Sequence, residues 1–392
     1  IVKMNFWTTI LISSLKTLPF GQLSLTLPDG KNYKFSGYQK GPSAQLKIKN
    51  FDSIKKIMKN GSIGFAEEFI ANNISTNNLS ALIYYFALNN DFIEKTLLYI
   101  LTFKIFNFLN HFWNNNSKIG SKNNIKKHYD IGNSFYQKWL DPSMTYSSAI
   151  FNKNNKNLFS AQKNKYDKIL NLAEVKNGDN ILEIGCGWGG LLEHASKKYN
   201  CKITGTTISN AQYEFVKKKL NKLKTNQVNV INQDYRDLTG KFDKIISIEM
   251  FEAVGEKYWN IYFKKIRNLI KKDGIISIQL ITIKDEAFKY YKKNPDFIQK
   301  YIFPGGMLPS FEILEKIISQ NSLKIKSVNS YANDYSQTLK IWRNNFINSY
   351  HALEKFGFDD NFYRLWNFYL AYCEGGFKSK RVDLKQLKIV VN

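Results

Sequence analysis

The sequence is short of the residues that build metal sites and disulfide frameworks. Its 392 residues include three cysteines (Cys186, Cys201, Cys373) and four histidines (His111, His128, His194, His351). None has the paired spacing of a structural zinc site, so the chain reads as a reduced, cytosolic protein without a structural metal. Acidic residues are also few, 32 against 57 basic ones, for a formal charge of +25. Within that basic excess arginine is rare: only Arg236, Arg267, Arg343, Arg364 and Arg381. Bidentate contacts to guanine and phosphate favour arginine, so the charge argues against nucleic acid and for diffuse attraction to an anionic phospholipid surface. No apolar run approaches the roughly 20 residues of a membrane-spanning helix. The stretch FWTTILISSL (6–15) has no small-residue cleavage pattern after it, and is expected to be the first helix of the fold rather than a signal peptide.

Residues 22–49 alternate in the strand manner around Pro28-Asp29-Gly30, the pattern of a β-hairpin. From 51 to about 112 the pattern turns helical and rich in Phe, Leu and Ile. NNNSKIGSKNN (114–124) has no apolar period and reads as a linker. The expected organisation is therefore an N-terminal α+β lobe over 1–113, a linker, and a second domain over 125–392. The second domain alternates strands with helices: strands are expected near 179–184, 201–206, 228–232, 243–249 and 274–282, with LKIVV (387–391) as an edge strand. That rhythm implies a mostly parallel sheet covered on both faces.

NILEIGCGWGG (180–190) runs an apolar strand into a glycine turn, where backbone N–H groups can approach a ligand closely. Gly185, Gly187 and Gly190 match the dinucleotide fingerprint G-x-G-x-x-G, and Cys186 and Gly189 lie between them. Two features oppose a nicotinamide dinucleotide. The following strand, CKITGTTIS (201–209), has no acid to hold the ribose, and Glu183 would repel a pyrophosphate. A carboxylate at that point suits a cationic ligand, and S-adenosylmethionine carries an ammonium and a sulfonium and no phosphate. Thr207 and Gln212, flanking Ile208, offer hydroxyl and amide partners for its ribose, although helix capping would explain both residues too. Asp234 and Tyr235 follow the third strand, in what is either an adenine site or a surface loop.

Further motifs fall at expected strand ends, where open α/β sheets bind ligands. They are KKHYDIGNSFYQKWLDPSMTYSSAIF (126–151), GTTISNAQ (205–212), QDYRDL (233–238), SIEMFEAVG (247–255), YIFPGGMLPS (301–310), NDYSQTLKIW (333–342) and YCEGGF (372–377). In this order they resemble the cyclopropane-fatty-acid synthase family of S-adenosylmethionine-dependent methyltransferases, across roughly residues 15–391. The resemblance implies a Rossmann-like class I methyltransferase fold with a seven-stranded, mostly parallel sheet and a smaller N-terminal lobe. It also implies a peripheral enzyme at the inner face of the membrane, acting on unsaturated phospholipid; a homodimer is left open. Tyr146 and Ser147 match the family's pair that closes over the methionine moiety, Asp234 and Tyr235 the adenine site, and Glu249 joins the cofactor set. His128 is expected to be structural.

In that family a carbon–carbon double bond of an acyl chain takes the methyl group, and a base removes a proton from the resulting carbocation to close a three-membered ring. Aromatic walls and exclusion of water suit such a cation; Tyr335, Trp342, Trp366, Tyr369 and Phe377 are candidates. The familiar base is a bicarbonate held by Cys, Glu, His, Tyr and a backbone group. By motif, Glu252 and Tyr335 are retained and Ile281 presents the backbone group, while Ser148 replaces the Cys, Ala253 a His, and Gln279 the His of the fifth strand. Bicarbonate binding is thereby put in question, and Glu252 becomes the expected base or its orienting residue. SIEMFEAVG with QLITI resembles a divergent branch, some of whose members leave a methylene or methyl branch in place of a ring. Two other classes stay open: a small-molecule N- or O-methyltransferase on the same fold, and a non-catalytic lipid- or nucleic-acid-binding module.

Overall fold

A computed structural model describes residues 6–98, 131–153, 157–223, 227–355 and 357–392. The expected linker, His111 and His128 lie outside them. The first described element is the expected helix, Phe6–Lys16. It is followed by β1 (Phe20–Thr26) and β2 (Asn32–Ser36), an antiparallel hairpin around the Pro-Asp-Gly turn. β3 (Gln39–Ile48) pairs parallel to β1, and the two-residue β4 (Ile74–Ser75), which alternation was too short to announce, pairs antiparallel to β3.

Between β3 and β4 the helix Phe51–Ile70 starts at Asn50, whose side chain accepts from Ser53 N–H, a cap that satisfies one orphan donor. Within it Gly61 is non-helical (φ 56°, ψ −131°), a kink that a residue with a Cβ would resist. Helices Leu79–Leu88 and Asn90–Leu98 complete this N-terminal region.

The large sheet has the order β10-β11-β9-β8-β5-β6-β7. β5 (Asn180–Ile184), β6 (Lys202–Thr207), β7 (Val228–Asn232), β8 (Phe242–Ile248) and β9 (Ile270–Ile283) all pair parallel. β5, the second half of β8 and the second half of β9 are mainly apolar runs, as expected of central strands covered on both faces. β10 (Leu323–Ser330) and β11 (Val382–Val391) add antiparallel to β9's side. The edge position expected for 387–391 is a correction: β11 lies between β9 and β10, and the true edge is β10. That strand is exposed along most of its length, so it carries no apolar period for a sequence reading to find. Strand order reverses between β5 and β8, which places a crevice at the carboxyl ends of both strands.

One buried cluster draws residues from both the N-terminal region and the second expected domain. Leu11, Leu25 and Ile54 share one buried cluster with Trp139, Trp342, Trp366 and Leu370. The helices Ala332–Asn348 and Asp360–Lys378 thus join the N-terminal region to the large sheet through common packing.

Candidate active site

The site is built on the carboxyl ends of β5, β6, β8 and β9. Glu183 is the fourth residue of β5, and its side chain is buried with Oε2 lacking any hydrogen-bond partner. Burial pushes its carboxyl up to about 8, opposed in part by the charge of Lys165. Such an orphaned oxygen is costly unless a ligand donates to it. Beyond it, Gly187 has φ +52°, and a Cβ placed there would meet nothing within 4 Å, so the turn leaves an open cradle. Gly185 (φ +81°) is required for a different reason: a Cβ would stand 2.6 Å from Met250 Cγ. An unpaired acceptor beside an open backbone cradle fits the ammonium and methionine end of S-adenosylmethionine.

On β6, Thr207 Oγ1 donates to Gln212 Oε1 at 2.9 Å while accepting from Ser209 N–H at 3.1 Å. The pair is thus pre-assembled at the mouth of the site, and Ile208 lines the cavity between them. Asp234 is held by Arg236, which donates Nε–H to Oδ1 (2.8 Å) and an Nη2 hydrogen to Oδ2 (2.7 Å). Tyr235 is buried edge-on against Tyr262.

A cavity of about 660 Å³ joins these groups to the N-terminal helices. Its walls include Glu183, Gln212, Asp234, Glu249, Glu252 and Tyr335, and apolar residues as far as Leu15, Ile57 and Phe86. Most residues expected from sequence line it. Ser148, Gln279 and Gly189 do not; Gly189 packs instead toward Val216, which a Cβ would meet at 3.1 Å. Of the expected aromatic walls, Tyr335, Tyr369 and Phe377 face the cavity, joined by Tyr146, whose hydroxyl is 2.7 Å from that of Tyr369. Trp342 and Trp366 are ordinary core residues.

Three of the residues assigned to a bicarbonate, Ser148, Gln279 and Tyr335, converge on a side chain of the protein. Glu249, at the end of β8, has φ +49°, a conformation rare outside glycine and common at functional sites. Its Oε1 accepts from Ser148 N–H (2.9 Å) and from Gln279 Nε2 (2.7 Å), and its Oε2 accepts from the Tyr335 hydroxyl (2.5 Å). Ser148 therefore contributes its backbone, its hydroxyl being spent on Ala149 O. The Ile281 N–H is taken as well, by Glu252 Oε1 at 2.6 Å. Glu252 Oε2 is buried without a partner. Burial pushes both carboxyls up. Tyr335, Gln279, Lys165 and the Ser148 amide pull Glu249 back, whereas the neighbouring Glu249 charge drives Glu252 further, to about 8. Burial and the Glu249 charge thus favour the protonated form of Glu252, while the donors around Glu249 favour its carboxylate form.

The match of residues 116–387 to the model of the mycolic acid cyclopropane synthetase family decides the chain's affiliation. The chain belongs to that family. It is 33% identical over 345 residues to a tuberculostearic acid methyltransferase of Mycobacterium tuberculosis, spanning 86% of this chain and 80% of that one. It is 31% identical over 350 residues to the cyclopropane-fatty-acyl-phospholipid synthase of Escherichia coli, spanning 88% and 87%. Among solved structures, a mycolic acid cyclopropane synthase complexed with SAH and CTAB superposes with a TM-score of 0.64 at 26% identity, covering 68% of this chain and 97% of that one. The family member described here is accordingly an S-adenosylmethionine-dependent methyltransferase of the cyclopropane-fatty-acyl-phospholipid synthase type, and it modifies lipid double bonds.

One buried ionisable group beside the site escaped the sequence reading. Lys165 is fully buried, and its Nζ donates to Ser147 Oγ at 2.7 Å. A signal was present. In the helix Leu158–Leu172 the buried positions are Leu158, Ala161, Gln162, Lys165, Tyr166, Ile169 and Leu170, so a lysine falls on the core-facing stripe.

Proposed function

We propose that the enzyme methylates the double bond of unsaturated acyl chains of membrane phospholipids, and that Glu249 accepts the proton that leaves. The observation carrying this reading is the Glu249 carboxylate, fixed by three donors on the wall of a cavity that runs from the cofactor cradle into apolar surroundings. The cofactor supplies an electrophilic methyl group when bound. Tyr146, Tyr335 and Tyr369 then present ring faces to the positive charge left on the acyl chain. The apolar walls exclude the water that would trap that charge. Glu249 removes a proton, taking the part that bicarbonate has in the best-known relatives, so no dissolved base is needed. Glu252, neutral, keeps the Ile281 amide satisfied without adding a second anion. Loss of the proton from the newly attached carbon closes a ring.

A second product has no ring: proton loss from an adjacent chain carbon leaves a methyl branch beside a new double bond, and a 1,2-hydride shift followed by proton loss from the methyl carbon leaves a methylene branch. The similarity to a tuberculostearic acid methyltransferase supports it.

Attachment to the membrane is proposed as peripheral and electrostatic, at the inner face, with the N-terminal region 6–98 toward the lipid. Among the described residues no helix is long and apolar enough to cross a membrane. The test is incubation with methyl-labelled S-adenosylmethionine and unsaturated phospholipid vesicles, followed by mass spectrometry of the released fatty acids. Label in the acyl chains is expected. Label confined to headgroups or to soluble amines would refute the substrate.

A further inference from the structure

One buried ionisable side chain beside the site has no part in the chemistry described so far. Asp141 and Glu183 are buried, Glu249 is half-buried on the cavity wall, and Lys165, whose charge acts on all three, is fully buried. Lysine is almost never fully buried without cause. Helix Leu158–Leu172 uses three successive side chains to grip the segment that closes the site. Gln162 Nε2 donates to Ser147 O (2.9 Å), Lys165 Nζ to Ser147 Oγ (2.7 Å), and the Tyr166 hydroxyl lies 2.7 Å from Thr145 Oγ1. Lys165 Nζ also stands 4.3 Å from the centroid of the Tyr166 ring.

We propose that Lys165 is a positioning residue for both halves of the reaction: its hydrogen bond leaves the Ser147 hydroxyl hydrogen free to be donated into the cavity, toward the cofactor's carboxylate, and its positive charge favours the carboxylate form of Glu249. An ammonium has no acceptor, so Ser147 Oγ must be the acceptor in that bond. The Ser147 hydrogen is then available on the cavity wall. The charge acts over a longer range. Asp141 receives only neutral donors, from Ser143 N–H and hydroxyl and from Thr145 N–H, and the Glu183 Oε2 has none. Around Lys165 the titratable groups are these three carboxylates and Tyr166, and beyond Glu249 come Glu252 and Tyr335. Burial pulls Lys165 down to about 8, and Glu249, Asp141 and Glu183 draw it back up. Below that pH its charge is present; above it, the carboxylates lose their counter-ion.

The catalytic half rests on Glu249 being the base, and the binding half does not, so the experiment separates them. The cofactor product S-adenosylhomocysteine is titrated by calorimetry into the parent enzyme, Lys165→Met and Ser147→Ala, and turnover is followed against pH for all three. For Lys165→Met we expect affinity at least about tenfold weaker, the range of a lost charge-assisted hydrogen bond, and an acid limb of turnover moved to higher pH. Ser147→Ala should weaken binding and leave the acid limb where it is, because Lys165 remains. Parental affinity in Ser147→Ala overturns the binding half even if Lys165→Met does not fold. A folded Lys165→Met with the parental acid limb overturns the catalytic half. A Glu249→Gln enzyme of parental activity would instead refute the base assignment and leave the binding result standing.

Discussion

Gln279 and Glu249 are joined twice: the Glu249 N–H donates to Gln279 O at 2.8 Å, and Gln279 Nε2 donates to Glu249 Oε1 at 2.7 Å. The first bond continues the parallel pairing of β8 and β9, in which Ile248 stands opposite Gln279. The second depends on which way the amide faces, and Gln386 settles that by donating to Gln279 Oε1 at 2.9 Å. Sheet register thus aims a neutral donor at a carboxylate in a site where a charged histidine would serve a dissolved anion.

Gln279→Met removes one of the donors that hold Glu249 ionised, without adding a charge. Glu249 must be deprotonated to accept a proton, so raising its pKa moves the acid limb of turnover to higher pH. A pH–rate profile superimposable on the parent's would show that Gln279 does not tune this carboxylate.

Stability should fall as pH rises across the neutral range because of Glu252. Its folded-state pKa, about 8, lies above the unfolded value near 4.5, so the folded protein binds the extra proton between those limits. The stabilisation is present at low pH and is lost as pH climbs toward 8. Glu252→Gln removes the titration while keeping an acceptor for Ile281 N–H. Thermal melts should therefore show the variant gaining on the parent between pH 5 and pH 9; a constant difference would contradict the assignment.

Gly187→Val places a branched side chain in the open cradle and at a positive φ that valine resists. Calorimetry should show loss of S-adenosylhomocysteine binding in the variant and no binding of NAD by either form. Measurable NAD affinity in the parent would mean that the turn holds a different cofactor.

Membrane binding should weaken with salt and with neutral lipid. Basic residues near an anionic surface contribute on the order of 1 kcal/mol each, screened within about 8–10 Å at physiological salt. Vesicle sedimentation across a salt series checks this, and binding indifferent to both variables would point to an apolar rather than an electrostatic attachment.

The Rossmann-like sheet was legible because buried parallel strands are apolar runs, and because Glu183 with its glycines marks the first strand end. Exposed β10 and two-residue β4 carry no such period, and β11 read as an edge because its partner β10 could not be seen. At the site, motif matching grouped Ser148, Gln279 and Tyr335 with Glu252 and Ile281 and set Glu249 apart from them, among the cofactor residues. Motif matching places Ser148, Gln279 and Tyr335 around an anion, but only the pairing of β8 with β9 and the left-handed turn at Glu249 reveal that the protein brings its own carboxylate. Lys165 was hidden by type, since a lysine is expected on the solvated face of a helix, although its place on the apolar stripe contradicted that expectation.

Turnover of unsaturated phospholipid by the parent and by Glu249→Gln, each in bicarbonate-depleted buffer and again with bicarbonate restored, tests the role of Glu249 most directly. The parent should run at the same rate in both buffers. Glu249→Gln should bind S-adenosylhomocysteine normally yet lose about 10²-fold or more of the rate, as expected for a missing general base. A parent that needs added bicarbonate, or a Glu249→Gln enzyme that methylates lipid at the parental rate, would contradict the assignment of Glu249 as the base.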